Sequence, residues 1–140
     1  MKDKVFLDTN FLVYLQNHQE PQRQEHCRSQ LTAWSARAGI VISTQVVQEF
    51  FIVMTKKMGA DPVQVKNVIQ LFRQFEIVLI DPDTITHAID ISVVNQLSFW
   101  DALIVSSAIK ANCTTVLTED LNSGQVIGGV RITNPFTAPI

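Results

Sequence analysis

Little in this 140-residue chain is suited to redox or soft-metal chemistry. Its two cysteines, Cys27 and Cys113, are isolated from one another and have no C-x-x-C spacing, which argues against a zinc or thiol-redox site and fits a reducing compartment. Both are expected as small buried hydrophobes. The three histidines, His18, His26 and His87, show no metal-ligand spacing, and His26 and His87 are expected on solvated helix faces. A formal net charge of -2 and a pI near 5.8 leave no broad basic footprint, so any nucleic acid has to be held by a local patch. No apolar run approaches a membrane span, and Val5-Phe6-Leu7 is too short for a signal-peptide core, so a cytoplasmic protein is expected. There is no internal repeat, low-complexity stretch or composition break. With 46% hydrophobic and 17% charged residues, the sequence reads as one globular domain over 1–140.

What is present is an alternation of short apolar runs and helical patterns. Val5-Phe6-Leu7 reads as a buried strand that ends in Asp8, with Thr9 and Asn10 before a short helix over 11–16. Pro21 opens a helix striped by Cys27, Leu31, Trp34 and Ala38, with Gly39 at its end. Ile40-Val41-Ile42-Ser43 is a second strand, apolar enough to be buried on both faces as in a parallel sheet. A helical pattern over 44–58 stops at Gly59, and Asp61-Pro62 starts another helix with Val65, Val68, Ile69 and Phe72 on one side. Ile77-Val78-Leu79-Ile80 is a third strand. Asp81-Pro82 begins a helix with Ile85, Ala88, Ile89 and Ser92 at helical spacing, and a further helix covers 99–111. Thr115-Val116-Leu117 is a fourth strand; Val130-Arg131-Ile132 adds an edge strand before a tail from Pro135 to Pro139. This order predicts an α/β fold in three layers, with a mostly parallel sheet of four to five strands flanked by helices.

Several carboxylates fall where apolar residues would be expected. Asp8 ends a buried strand, and ligands of open α/β sheets bind beyond such ends, although taken alone it reads more readily as a turn or helix cap. Glu49 lies beside the stripe of Val46, Phe50 and Val53. Asp101 sits in Ser98-Phe99-Trp100-Asp101, which has the form of a capping box, while Ile104, Val105 and Ala108 continue its face. Asp120 follows the fourth strand as Asp8 follows the first. A parallel fold can bring all four to one edge, where they would repel unless a cation intervened. Mg²⁺ or Mn²⁺ suits an all-oxygen site, and an acidic pocket without His or Cys points to phosphodiester chemistry.

In order and spacing, strand-Asp8-Thr9-Asn10, Glu49 after Ile42-Ser43-Thr44, Phe99-Trp100-Asp101-Ala102-Leu103-Ile104, and Leu117-Thr118-Glu119-Asp120-Leu121 resemble the motifs of PIN-domain ribonucleases. The resemblance covers nearly the whole chain and is closest to bacterial VapC-type toxins. It implies a Mg²⁺- or Mn²⁺-dependent endonuclease acting on single-stranded RNA, with Asp8, Glu49, Asp101 and Asp120 as metal-binding acids. Glu119 could stand in for Asp120. Thr9, Asn10, Ser43 and Thr118 match polar positions that orient those acids. A homodimer and a small antitoxin that covers the acidic pocket are further implications of the resemblance.

RNA approaching an acidic pocket needs local positive charge, for which Arg23, Arg28, Arg37, Lys56 and Lys57 are the candidates. Trp34 and Trp100 are expected in the core. Two other readings remain open. One is a receiver-like phosphoacceptor switch with Asp81 as acceptor, against which Asp81-Pro82 already serves as a helix start. The other is a catalytically silent PIN-like binding module, against which stands the retention of a complete set of costly acids.

Overall fold

The computed structural model describes residues 3–137. Val5, Phe6 and Leu7 are the buried half of strand β1 (Asp3–Leu7). Parallel strands flank β1 on both sides: β2 (Ala38–Ser43), with Val5 opposite Ile40, and β4 (Thr115–Leu117), with Val5 opposite Thr115. Beyond β2 lies β3 (Glu76–Val78), and beyond β4 lies β6 (Val130–Thr133), both parallel to their neighbours. Among the described residues only β5 (Val126–Ile127) runs antiparallel, closing the edge against β6, so the sheet order is β3-β2-β1-β4-β6-β5. Burial on both faces explains why β2 carries Ile40-Val41-Ile42 without polar alternation.

The covering helices are α1 (Thr9–Gln16), α2 (Pro21–Ser35), α3 (Thr44–Ile52), α4 (Pro62–Leu71), α5 (Pro82–Asn95) and α6 (Phe99–Lys110). Their starts follow from local chemistry. Ser43, Asp61, Asp81 and Ser98 each accept a backbone N–H from the residue three positions on, and Pro21, Pro62 and Pro82 occupy first-turn positions where no amide hydrogen is needed. The α3 axis continues through a π-helical turn, Val53–Lys57, before Gly59 ends it at φ 69°. Such turns are frequent near functional sites.

The structure departs from the expectations at several places, each for a local reason. α2 stops at Ser35, so Ala38 and Gly39 belong to β2, where their pairing with Asp3 and Lys4 outweighs the helical spacing of Ala38. β3 ends at Val78 because Leu79 lies 70% exposed at the sheet margin and offers its carbonyl to Lys110. β6 is an interior strand rather than an edge, since the two-residue Gly128-Gly129 turn, with φ 56° and 84°, folds β5 back against it. On α5 the inward face is Thr84, Ala88 and Ile91, whereas Ile85 and Ile89 are exposed. The small inner residues let α6 approach closely enough for Ser106 Oγ to donate to the Thr84 carbonyl at 2.8 Å. In the tail, Pro135 is buried and Phe136 packs on Tyr14 and His26; Pro139 lies outside the described residues.

The largest fully buried side chain of β1 is Phe6. Removing its ring by Phe6→Ala should destabilise the protein by about 3–5 kcal/mol, seen as a lower urea midpoint with an unchanged denaturant slope.

Candidate active site

Asp8 leaves the carboxyl end of β1 directly into α1, and its fixed position comes from both sides. Its backbone N–H donates to the Leu117 carbonyl at the end of β4, and its Oδ1 accepts the Thr9 N–H at 2.6 Å as the cap of α1. Its Oδ2 accepts the Thr118 hydroxyl, also at 2.6 Å. The side chain is only 9% exposed. Burial is the main force raising its pKa from 3.8 to about 6; the hydrogen bonds from Thr118 and Thr9 oppose the rise, and the nearby Asp120 and Glu49 charges reinforce it. Asp8 is therefore both the cap that its position foretold and a desolvated acid.

Thr118 links the first acid to the last. Its hydroxyl oxygen accepts the Asp120 N–H at 3.1 Å while its hydrogen goes to Asp8, and its own N–H is anchored on the Thr133 carbonyl of β6. Asn10 reaches Asp120 from the other side, donating Nδ2 to Oδ2 at 3.4 Å. Asp120 is solvent-exposed at its rim, yet packing around its carboxyl group, then the Glu119 and Asp101 charges, push its pKa up. Thr9 is buried and its hydroxyl has no partner among the described residues. Ser43 is fully buried and serves α3 as its cap, with Oγ accepting the Val46 N–H at 3.3 Å.

Glu49, half-buried on α3, and Asp101, half-buried in the first turn of α6, approach from the adjoining helices. Ser98 Oγ accepts the Asp101 N–H, so half of the expected capping box forms. The Asp101 carboxylate itself makes no hydrogen bond among the described residues. Gln45, one turn before Glu49, was not singled out in the sequence. Its Nε2 donates to Glu49 Oε1 at 2.6 Å and to the Trp100 carbonyl at 3.2 Å, tying α3 to the start of α6. The only sequence signal for it is the i, i+4 spacing to Glu49.

Glu119 points into a different network. Tyr14 donates to its Oε1 at 2.6 Å, and Arg23 Nη1 lies 3.3 Å from its Oε2. Arg23 also caps the faces of Tyr14 and Phe136, at 5.1 and 4.8 Å from the ring centroids. Neutralised in this way, Glu119 has a cationic partner, whereas Asp120 has none among the described residues. Of the other basic candidates, Lys57 borders a hollow shared with Asn10, Tyr14 and Glu119. Lys56 is exposed on the π-helical turn, Arg28 is exposed on α2, and Arg37 stacks 4.3 Å over Trp34. Trp34 packs partly buried against the core as expected, but Trp100 is 64% exposed, because α6 turns its buried face, Ala102 to Ala108, toward the sheet and leaves residue 100 on the rim.

Asp81 stands apart from these acids. Its Oδ1 accepts both the N–H and the hydroxyl of Thr84, and its Oδ2 pairs with Lys110 at 2.8 Å, holding its pKa far below the usual carboxylate range. Its strand, β3, is at the edge of the sheet rather than the centre. A helix cap accounts for it fully.

The donor set at the edge consists of carboxylate oxygens, which suits a hard divalent cation. The Asp120 and Glu49 charges act on Asp8, and the Asp101 charge acts on Asp120, so the four acids are linked electrostatically in pairs. Their side chains do not converge on a point: among the described residues no three Asp, Glu, His or Cys side chains are close enough to share one ion as they are placed. Gln45 and Asn10 each engage one of the four acids, and repulsion between like charges keeps the carboxylates apart. Mg²⁺ commonly takes one or two carboxylates with water, so Asp8 with a second acid satisfies the chemistry.

A mostly parallel sheet, a buried acid beyond the end of its central strand and three further acids around it define an α/β class with an acidic edge site. Residues 5–126 match the PIN domain family, and the chain belongs to that family, one of nucleases. No curated protein sequence matches the chain. Its fold is similar to that of the sarcin-ricin-loop-cleaving toxin VapC20 of Mycobacterium tuberculosis, with a TM-score of 0.68 at 19% identity over 84% of this chain and 92% of that one. It is also similar to a toxin-antitoxin complex chain from Klebsiella pneumoniae, TM-score 0.71 at 20% identity over 94% and 98% of the two chains. A chain of DNA-bound VapBC from Salmonella typhimurium gives 0.69 at 22% over 95% and 98%.

A folded-state pKa of about 6 against 3.8 means that Asp8 binds more protons folded than unfolded between these values. In metal-free protein its contribution therefore favours folding below pH 3.8 and is lost as pH rises through about 6, by roughly 3 kcal/mol. Asp8→Asn keeps the Oδ1 cap and can donate to Thr118. It should raise the metal-free melting temperature at pH 7.5 and flatten the dependence between pH 4 and 6, as followed by circular dichroism.

Proposed function

We propose that this protein is a Mg²⁺- or Mn²⁺-dependent endoribonuclease that hydrolyses phosphodiester bonds of single-stranded RNA, acting in the cytoplasm as the toxin of a toxin-antitoxin pair. The observation that carries the proposal is Asp8: a carboxylate deprived of water, fastened to Thr118, with its ionisation opposed by two neighbouring acids. Membership of the PIN-domain family supports the nuclease chemistry.

Asp8 would hold the cation together with one of Glu49, Asp101 and Asp120, and the remaining acids would line the pocket around it. When bound, it supplies positive charge to the phosphate and acidity to a water molecule. Thr118 and Thr9 keep the Asp8 carboxylate in one orientation, and Asn10 does the same for Asp120. Asp101, whose carboxylate accepts no hydrogen bond among the described residues, and Asp8, with its raised pKa, are the two groups able to take the proton of the attacking water. Lys57 borders the Asn10 hollow and attracts the RNA backbone there, whereas Arg23 works chiefly by restraining Glu119.

The partner assignments have separate supports. Similar chains are known in toxin-antitoxin and VapBC complexes, which favours a small antitoxin that masks the acidic edge here. A homodimer is supported by the outward stripe Ile85, Ile89 and Val93, spaced i, i+4, i+8 on α5 and exposed by 38%, 48% and 74%. No single helix among the described residues is long and apolar enough to cross a membrane.

With Mg²⁺ or Mn²⁺ the purified protein should cut single-stranded RNA internally, and EDTA should stop it. Asp8→Asn and Asp101→Asn should each lower the rate more than about a hundredfold while the circular dichroism spectrum stays native. Retained cleavage in both variants would overturn the assignment. Ile89→Lys with Val93→Lys should convert the dimer to a monomer in light scattering.

A further inference from the structure

Next to the acids is a groove of ≈ 550 Å³ bordered by Gln45, Gln48, Glu49, Ile52, Val53 and Trp100. It is continuous with the acidic edge through Glu49 and through Trp100, which immediately precedes Asp101. Two large apolar side chains stand open to water on its walls, Trp100 at 64% and Ile52 at 53% exposure. The indole is held: Phe99 meets it edge to face at 5.1 Å, and the Trp100 carbonyl accepts Gln45 Nε2. Gln45 is itself 5% exposed, and with its Nε2 occupied by Glu49 and Trp100, its Oε1 is buried with no donor among the described residues.

From this we infer that the groove is a nucleobase subsite: an unpaired base beside the scissile phosphate stacks on Trp100, with its edge facing the exposed carboxamide of Gln48. Stacking on an exposed aromatic with hydrogen bonding to base edges is how single-stranded RNA is recognised. The polar wall of Gln48 and Glu49 separates this occupant from an apolar peptide side chain, which stacks but leaves both groups unmatched. Gln45 supports the platform from within the protein, since its Nε2 bonds both Glu49 and the Trp100 carbonyl. This assignment rests on the ribonuclease reading for its substrate.

The protein has two tryptophans, so a Trp34→Phe background leaves Trp100 as the sole indole reporter. A single-stranded oligoribonucleotide added in EDTA should quench its fluorescence saturably, and the same strand with abasic positions should not. In steady-state cleavage, Trp100→Ala should raise KM by about tenfold to a hundredfold with a much smaller change in kcat, and Trp100→Phe should recover most of the loss. A wild-type KM in Trp100→Ala together with absent quenching overturns the subsite while leaving the nuclease assignment standing. Quenching by a leucine-rich peptide but not by RNA also overturns it, making the groove a protein-docking face. If the wild-type protein cuts no RNA, the nuclease assignment fails, and the EDTA titration still decides the subsite.

Discussion

A carboxylate removed from water at the end of a central strand must be held by donors, neutralised by a proton or balanced by a cation, and the surroundings of Asp8 are arranged around that requirement. Two donors serve it. One, the Thr9 N–H, comes from the helix that Asp8 itself starts, and the other, the Thr118 hydroxyl, comes from the far end of the sequence. The position of β1 in the sheet makes this possible: lying between β2 and β4, it brings Thr118 beside Asp8 by strand pairing, since Leu7 is opposite Leu117. Site geometry is thus inherited from sheet register.

The same logic extends outward through side chains that each serve two neighbours. Thr118 holds Asp8 and Asp120, Gln45 holds Glu49 and the Trp100 backbone, and Arg23 with Tyr14 draws Glu119 away from its adjacent acid. In this way two consecutive carboxylates in the sequence acquire different roles. Glu119 becomes part of the packing between α1, α2 and the tail, while Asp120 stays at the edge of the sheet.

Strand and helix identities were legible in the sequence because they depend on short-range signals. Continuous apolar runs marked β1, β2 and β4, and the Asp-Pro pairs marked α4 and α5 with their caps. The acids were legible because each interrupts such a pattern. What could not be read depends on partners distant in sequence. Nothing near Ile85 and Ile89 says that Thr84, Ala88 and Ile91 will be chosen to face α6. Spacing within one helix cannot show that Trp100 falls on the rim rather than in the core. Gln45 and Tyr14 are ordinary helix residues until α6 and the Glu119 segment arrive beside them.

The hydrogen bond between Asp8 and Thr118 spans 110 positions, and the Phe136 contact with Arg23 and Tyr14 spans still more of the chain. Neither can form while the later strands are still inside the ribosome, since domains complete their packing only when all their pairing segments have emerged. A nascent polypeptide bearing β1 through α6 therefore carries its acids unassembled. The acidic edge is complete only once the segment that carries Thr118 and Asp120 has left the ribosome and paired.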